Sequence, residues 1–119
     1  MKRDMDLVRE LLMAAESLPS GFARDQLQIH DYTQEQVDYH AFLMNEAGLV
    51  KAVNVTSMGS PSPEAKIIRL TWKGHEFLDS AREPSRWEQA KKLMNRAGGA
   101  SFEVLMAFLT ALAKKELGI

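Results

Sequence analysis

The sequence predicts an α+β chain that is mostly α, with one two-stranded β ribbon set among five helices. Three observations carry that reading. Thr33 stands three residues before Gln36, the spacing of a capping box, and Gly48 closes the segment it opens. Leu49–Val55 and Ala65–Trp72 are rich in Val and Ile and flank a loop of Pro, Gly and Ser. Phe102–Leu117 carries apolar residues around nearly its whole circumference behind a capping Ser101.

The first helix is expected over about Asp4 to Ser17. Met5, Val8, Leu12 and Ala15 form one stripe with Leu11 beside it, and Asp4 and Asp6 suit the positive end of the helix. Pro19, Ser20 and Gly21 stop it, and Leu27-Gln28-Ile29 alternates enough for a short strand. In the second helix Thr33 is the N-cap, Tyr32 against Val37 is a hydrophobic staple, and Leu49 after Gly48 folds back as the apolar contact of a left-handed cap. Thr71 caps a third helix through about Arg82. Pro84 opens a fourth that ends at Gly98-Gly99, with Trp87, Ala90, Met94 and Ala97 as its stripe. The fifth helix, apolar on all sides, must be buried on all sides. It is therefore expected either to lie across the rest of the domain or to make a homodimer contact through Phe102, Leu105, Met106 and Leu109.

With 119 residues, 45% hydrophobic and 26% charged, the chain reads as a single folded domain spanning 1–119. Cysteine is absent, which excludes disulfides, thiolate metal sites and a cysteine nucleophile. The N-terminus has no signal-peptide pattern. The longest apolar stretch, Val104 to Ala113, falls far short of the ~20 residues of a spanning helix, so a cytoplasmic protein without membrane contact is expected.

The order of capped helix, Ala47-Gly48-Leu49-Val50, loop, and Leu70-Thr71-Trp72-Lys73-Gly74-His75-Glu76-Phe77-Leu78 resembles the second half of a winged helix. The chain as a whole resembles the bacterial and prophage domain of unknown function 2513. Met1-Lys2-Arg3-Asp4-Met5-Asp6-Leu7-Val8-Arg9, Tyr39-His40 ahead of Glu46-Ala47-Gly48-Leu49, and Leu70 through Asp79 carry that likeness over most of the chain. The resemblance implies a winged-helix-like part over 1–82, with the ribbon as its wing, and a helical extension over 83–119. It supplies a fold and no catalytic or ligand residues.

Winged helices usually bind DNA, but the charge runs the other way. Residues 1–81 hold 8 Lys plus Arg against 12 Asp plus Glu, and residues 82–119 hold 7 against 4. Phosphate neutralisation supplies most nonspecific affinity, so an acidic DNA-binding half counts against tight general binding. The reading-position helix offers Glu35, Asp38, Tyr39 and Phe42, a mixed acidic and aromatic face suited to a protein contact. Lys51, Lys66, Arg69 and Lys73 make the wing locally basic, at +3 from Leu49 to Lys73, and are the expected phosphate contacts. Two binding classes follow, a DNA-binding or transcription-associated module and a protein-interaction adaptor of prophage type.

Enzymatic chemistry finds little support. His30, His40 and His75 lack metal-site spacing, and no Ser or Thr has a base and an orienting third group at hand. No Gly-rich phosphate loop is present, and no cofactor is expected. His40 falls on the apolar stripe as a hydrogen-bonded core residue, and His75 on a solvated face with Asp79 one turn on. Trp72 and Trp87 are assigned to the core in preference to base stacking.

Overall fold

Side-chain oxygens start every helix of the computed structural model, which describes residues 1–19, 27–99 and 101–119. The order is α1 (Met5–Glu16), α2 (Gln34–Glu46), β1 (Val50–Asn54), β2 (Ala65–Leu70), α3 (Trp72–Ala81), α4 (Pro84–Arg96) and α5 (Phe102–Leu117). A helix leaves its first N–H groups without intrahelical acceptors, and here Asp4, Thr33, Thr71, Glu83 and Ser101 take them up. Thr33 and Gln36 form the complete capping box. Gly48 ends α2 at φ 77°, with Leu49 N–H donating to Met44 O at 2.9 Å and Gly48 N–H to Asn45 O at 3.1 Å, the two bonds of a Schellman motif.

Two compact units divide the chain, residues 1–75 and 76–119, so the division falls inside α3. In the first unit α1 packs on α2 and β2, and α2 packs on both strands. Its core is built from Leu7, Leu11 and Leu12 of α1, Val37, Ala41 and Met44 of α2, and Leu49, Val50, Ile67 and Leu70 of the ribbon. Asp4 joins three segments. It caps α1, its backbone N–H donates to His40 Nε2 at 2.8 Å, and its carboxylate accepts from Tyr32 Oη at 3.1 Å. Burial and that hydrogen bond push the Tyr32 phenol up to about 12.

In the second unit α4 packs on α5. Trp87, Ala90, Leu105 and Leu109 are buried, and the Phe77 ring meets Trp87 edge-on at 6.2 Å and Phe102 at 5.1 Å. Arg86 Nη2 donates to Glu116 Oε2 at 2.7 Å, which raises the guanidinium further and lowers the carboxyl.

Several sequence expectations change. Leu27–Ile29 is not a strand; the Leu27 carbonyl accepts instead from Gln34 Nε2 at 3.2 Å, and the sheet consists of β1 and β2. The stretch Ser20–Gln26, within the broken segment expected between the first two helices, lies outside the described residues. Helix α5 is not buried on all sides: Val104 and Leu117 are exposed, and Ala107, Thr110 and Ala111 share the open surface. The four residues of the expected dimer contact differ in exposure. Leu105 and Leu109 are fully covered within the single chain, while Phe102 and Met106 are half-buried, so the four do not form an exposed face. Among the described residues no helix is long and apolar enough to cross a membrane.

Candidate nucleic-acid interface

Strands β1 and β2 pair antiparallel with Val50 opposite Leu70 and Lys51 opposite Arg69. The register then slips, Ala52 pairing with Ile67 and Ile68 having no partner, which is a bulge and adds local twist. Like charges directly opposite one another on a ribbon repel. Lys51 and Arg69 nevertheless occupy such a pair, both exposed, in two strands that contain no Asp or Glu. Arg69 Nη1 donates to the Leu70 carbonyl at 3.1 Å, which uses one of five guanidinium donors and no countercharge.

The other two cations expected to meet phosphate, Lys66 and Lys73, serve different ends. Lys73 Nζ donates to the Ala47 carbonyl at 3.1 Å, a cation at the negative end of α2, and its side chain is exposed. Lys66 Nζ lies 3.2 and 3.3 Å from the two oxygens of Asp38. That pair overturns the placement of Asp38 on an open face. Asp38 is 5% exposed and also accepts from Gln34 Nε2 at 3.0 Å. A carboxylate taken out of water needs a cation and hydrogen bonds, and Lys66 supplies the charge.

Little of α2 is open to a partner. Val37, His40, Ala41 and Met44 are buried with Asp38, and Tyr39 and Phe42 are half-buried, the Tyr39 ring edge-on to His40 at 6.1 Å. Glu35 is exposed and accepts from Ser62 Oγ at 2.7 Å, tying the β1–β2 loop to the first turn of α2. His40 sits in the core as expected, its Nδ1 2.8 Å from the Gln36 carbonyl, which fixes Nδ1–H as the donor while Nε2 accepts from Asp4. His75 Nδ1 lies 4.0 Å from Glu16 Oε2, a contact not expected from its neighbours in sequence. Among the described residues no group of three His, Asp or Glu is arranged to hold a metal ion.

Trp72 is the largest departure. It is 81% exposed, whereas Trp87 is buried as expected. As the residue after the Thr71 cap it occupies the first position of α3, and the buried stripe of that helix is Gly74, Phe77, Leu78 and Ala81. Position 72 lies about 200° round the helix from position 74, on the opposite side. Drawing the helical wheel from the Thr71 cap would have shown it.

The family model described as Hypothetical protein (DUF2513) matches residues 2–100. The chain belongs to this family. An uncharacterised protein of Haemophilus influenzae is 36% identical to this DUF2513 chain over 99 residues, which covers 76% of each. No solved structure matches it. Lys51, Lys66, Arg69, Trp72 and Lys73 fall inside the DUF2513 span, and α5 falls outside it.

Proposed function

We propose that this protein is a non-enzymatic, winged-helix-like binding module that contacts nucleic acid through the base of its wing. The observation that carries the reading is the Lys51–Arg69 pair. Two exposed cations held opposite each other, with no carboxylate in either strand, lower the stability of the ribbon unless an anion sits against them. Lys73 extends the charge beyond the end of β2, and a phosphate backbone is an anion long enough to meet all three. Lys66 has no part in the contact because its charge is committed to Asp38. Helix α2 does not read base edges in this account. Its exposed charges, Glu35 and Glu46, repel phosphates and keep the contact at the wing. The winged-helix resemblance supports the reading by analogy of fold alone.

Titration against random-sequence duplex DNA at two salt concentrations tests it. Three phosphate contacts give a log–log salt slope of about −2.7, or roughly 40-fold weaker binding for a fourfold rise in salt. Binding that is absent at low salt contradicts the proposal.

A protein-interaction adaptor is the second reading, and a separate observation favours it. Val53, Val55 and Met58 are exposed along β1 and the wing loop, apolar side chains that a protein partner would cover.

A further inference from the structure

Trp72 combines a rigid backbone with a side chain turned out to solvent. Thr71 N–H donates to the Leu49 carbonyl at 3.0 Å, and Thr71 Oγ1 donates to the Gly48 carbonyl at 2.5 Å while accepting from Gly74 N–H at 3.1 Å. Lys73 Nζ holds the Ala47 carbonyl, so the residues on both sides of Trp72 are anchored to the turn that ends α2. The approach is close enough that a Cβ on Gly74 would collide with the Leu49 carbonyl oxygen. Only glycine fits there. The start of α3 is therefore fixed in place, and the indole it carries stays 81% exposed.

The chemistry around this indole selects its partner. No Asp or Glu lies between Glu64 and Glu76, a stretch that contains Arg69, Trp72 and Lys73, and Lys51 stands across the ribbon from Arg69. A flat π-face flanked by cations matches a base between phosphates. The bases of a duplex are already stacked on one another and do not offer their faces, whereas those of a single strand do.

We propose that Trp72 is a stacking platform for one base of a single-stranded nucleic acid, with Lys51, Arg69 and Lys73 against the neighbouring phosphates. The inference rests on the nucleic-acid reading of the wing and adds to its phosphate contacts a base contact that single strands alone can make.

Intrinsic fluorescence of the full chain tests it, because Trp87 is buried and Trp72 is the exposed member of the two tryptophans. The probes are oligo-dT, a random-sequence duplex and polyglutamate. Oligo-dT is expected to quench the exposed emission in a salt-dependent way. Trp72→Ala is expected to weaken oligo-dT binding by about 5- to 150-fold, with Trp72→Phe retaining most of it. Duplex binding by Trp72→Ala should change by less than about twofold, since its phosphate contacts are intact. Strand binding that leaves Trp72 emission and the Trp72→Ala affinity unchanged overturns the stacking role while leaving the wing reading in place. Quenching that polyglutamate reproduces and oligo-dT does not makes Trp72 a protein contact and overturns the inference. Absence of salt-dependent binding to either nucleic acid overturns both readings. The side chain is exposed, so Trp72→Ala is expected to fold, and unchanged circular dichroism checks that.

Discussion

Lys51 and Arg69 face each other across β1 and β2, one residue before the bulge that twists the ribbon. The pair separates stability from binding. Lys51→Glu turns a repulsive cross-strand pair into an attractive one and is expected to raise unfolding stability by about 0.2–1 kcal/mol. The same substitution should weaken nucleic-acid binding. Thermal or urea unfolding beside a binding titration checks both signs, and a loss of stability would argue that Lys51 has a structural role.

Lys66 is expected to behave in the opposite way. Lys66→Ala removes the ammonium 3.2 Å from the buried Asp38 carboxylate and should cost about 1–3 kcal/mol in urea unfolding. Lys66→Ala/Asp38→Asn should recover part of that loss. A Lys66→Ala protein of unaltered stability with weakened DNA binding would return Lys66 to the interface.

Gly74 fixes the start of α3 against the turn after α2. Gly74→Ala drives a methyl group into the Leu49 carbonyl oxygen, where backbone rather than a flexible side chain must yield, and should destabilise by about 3 kcal/mol or more. Gly48→Ala meets no atom but must hold φ 77°, so a smaller loss of about 1 kcal/mol is expected. Chemical denaturation of the two variants orders them.

Tyr32 gives the fold an alkaline limit. Its folded pKa is raised from the ordinary 10.0 to about 12, so the folded state holds the phenolic proton more tightly than the unfolded chain does. That stabilisation is fully present below pH 10 and is lost as the pH rises through about 12. Tyrosinate absorbance should show Tyr32 ionising near 12, with unfolding stability falling across the same window. Tyr32→Phe should remove that part of the pH dependence.

The elements were legible where the signal was local. Thr33 with Gln36, Gly48, Pro84 and Ser101 mark boundaries through bonds made within a few residues, and each helix they mark falls where the sequence puts it. The chemistry of single side chains was less legible, because it depends on what packs opposite them. Asp38 reads as exposed on the wheel of α2 until Lys66, 28 residues later in the chain, closes over it. Leu105 and Leu109 read as a dimer face, yet they are buried within one chain. Trp72 reads as core by residue type, while its position two residues before Gly74 puts it on the outer side of α3. The Lys51–Arg69 pairing needed the register, which the bulge at Ile68 shifts by one residue.

The proposed nucleic-acid contact at Lys51 and Arg69 is tested most directly by titrating random-sequence duplex DNA at low and moderate salt against the unaltered protein and Lys51→Glu/Arg69→Glu. The proposal expects binding by the unaltered protein that weakens about 40-fold over a fourfold rise in salt. It also expects that binding to be lost in the double variant, whose fold is intact by circular dichroism. Equal binding by the two proteins, or none by the unaltered protein at low salt, would contradict a nucleic-acid contact at Lys51 and Arg69.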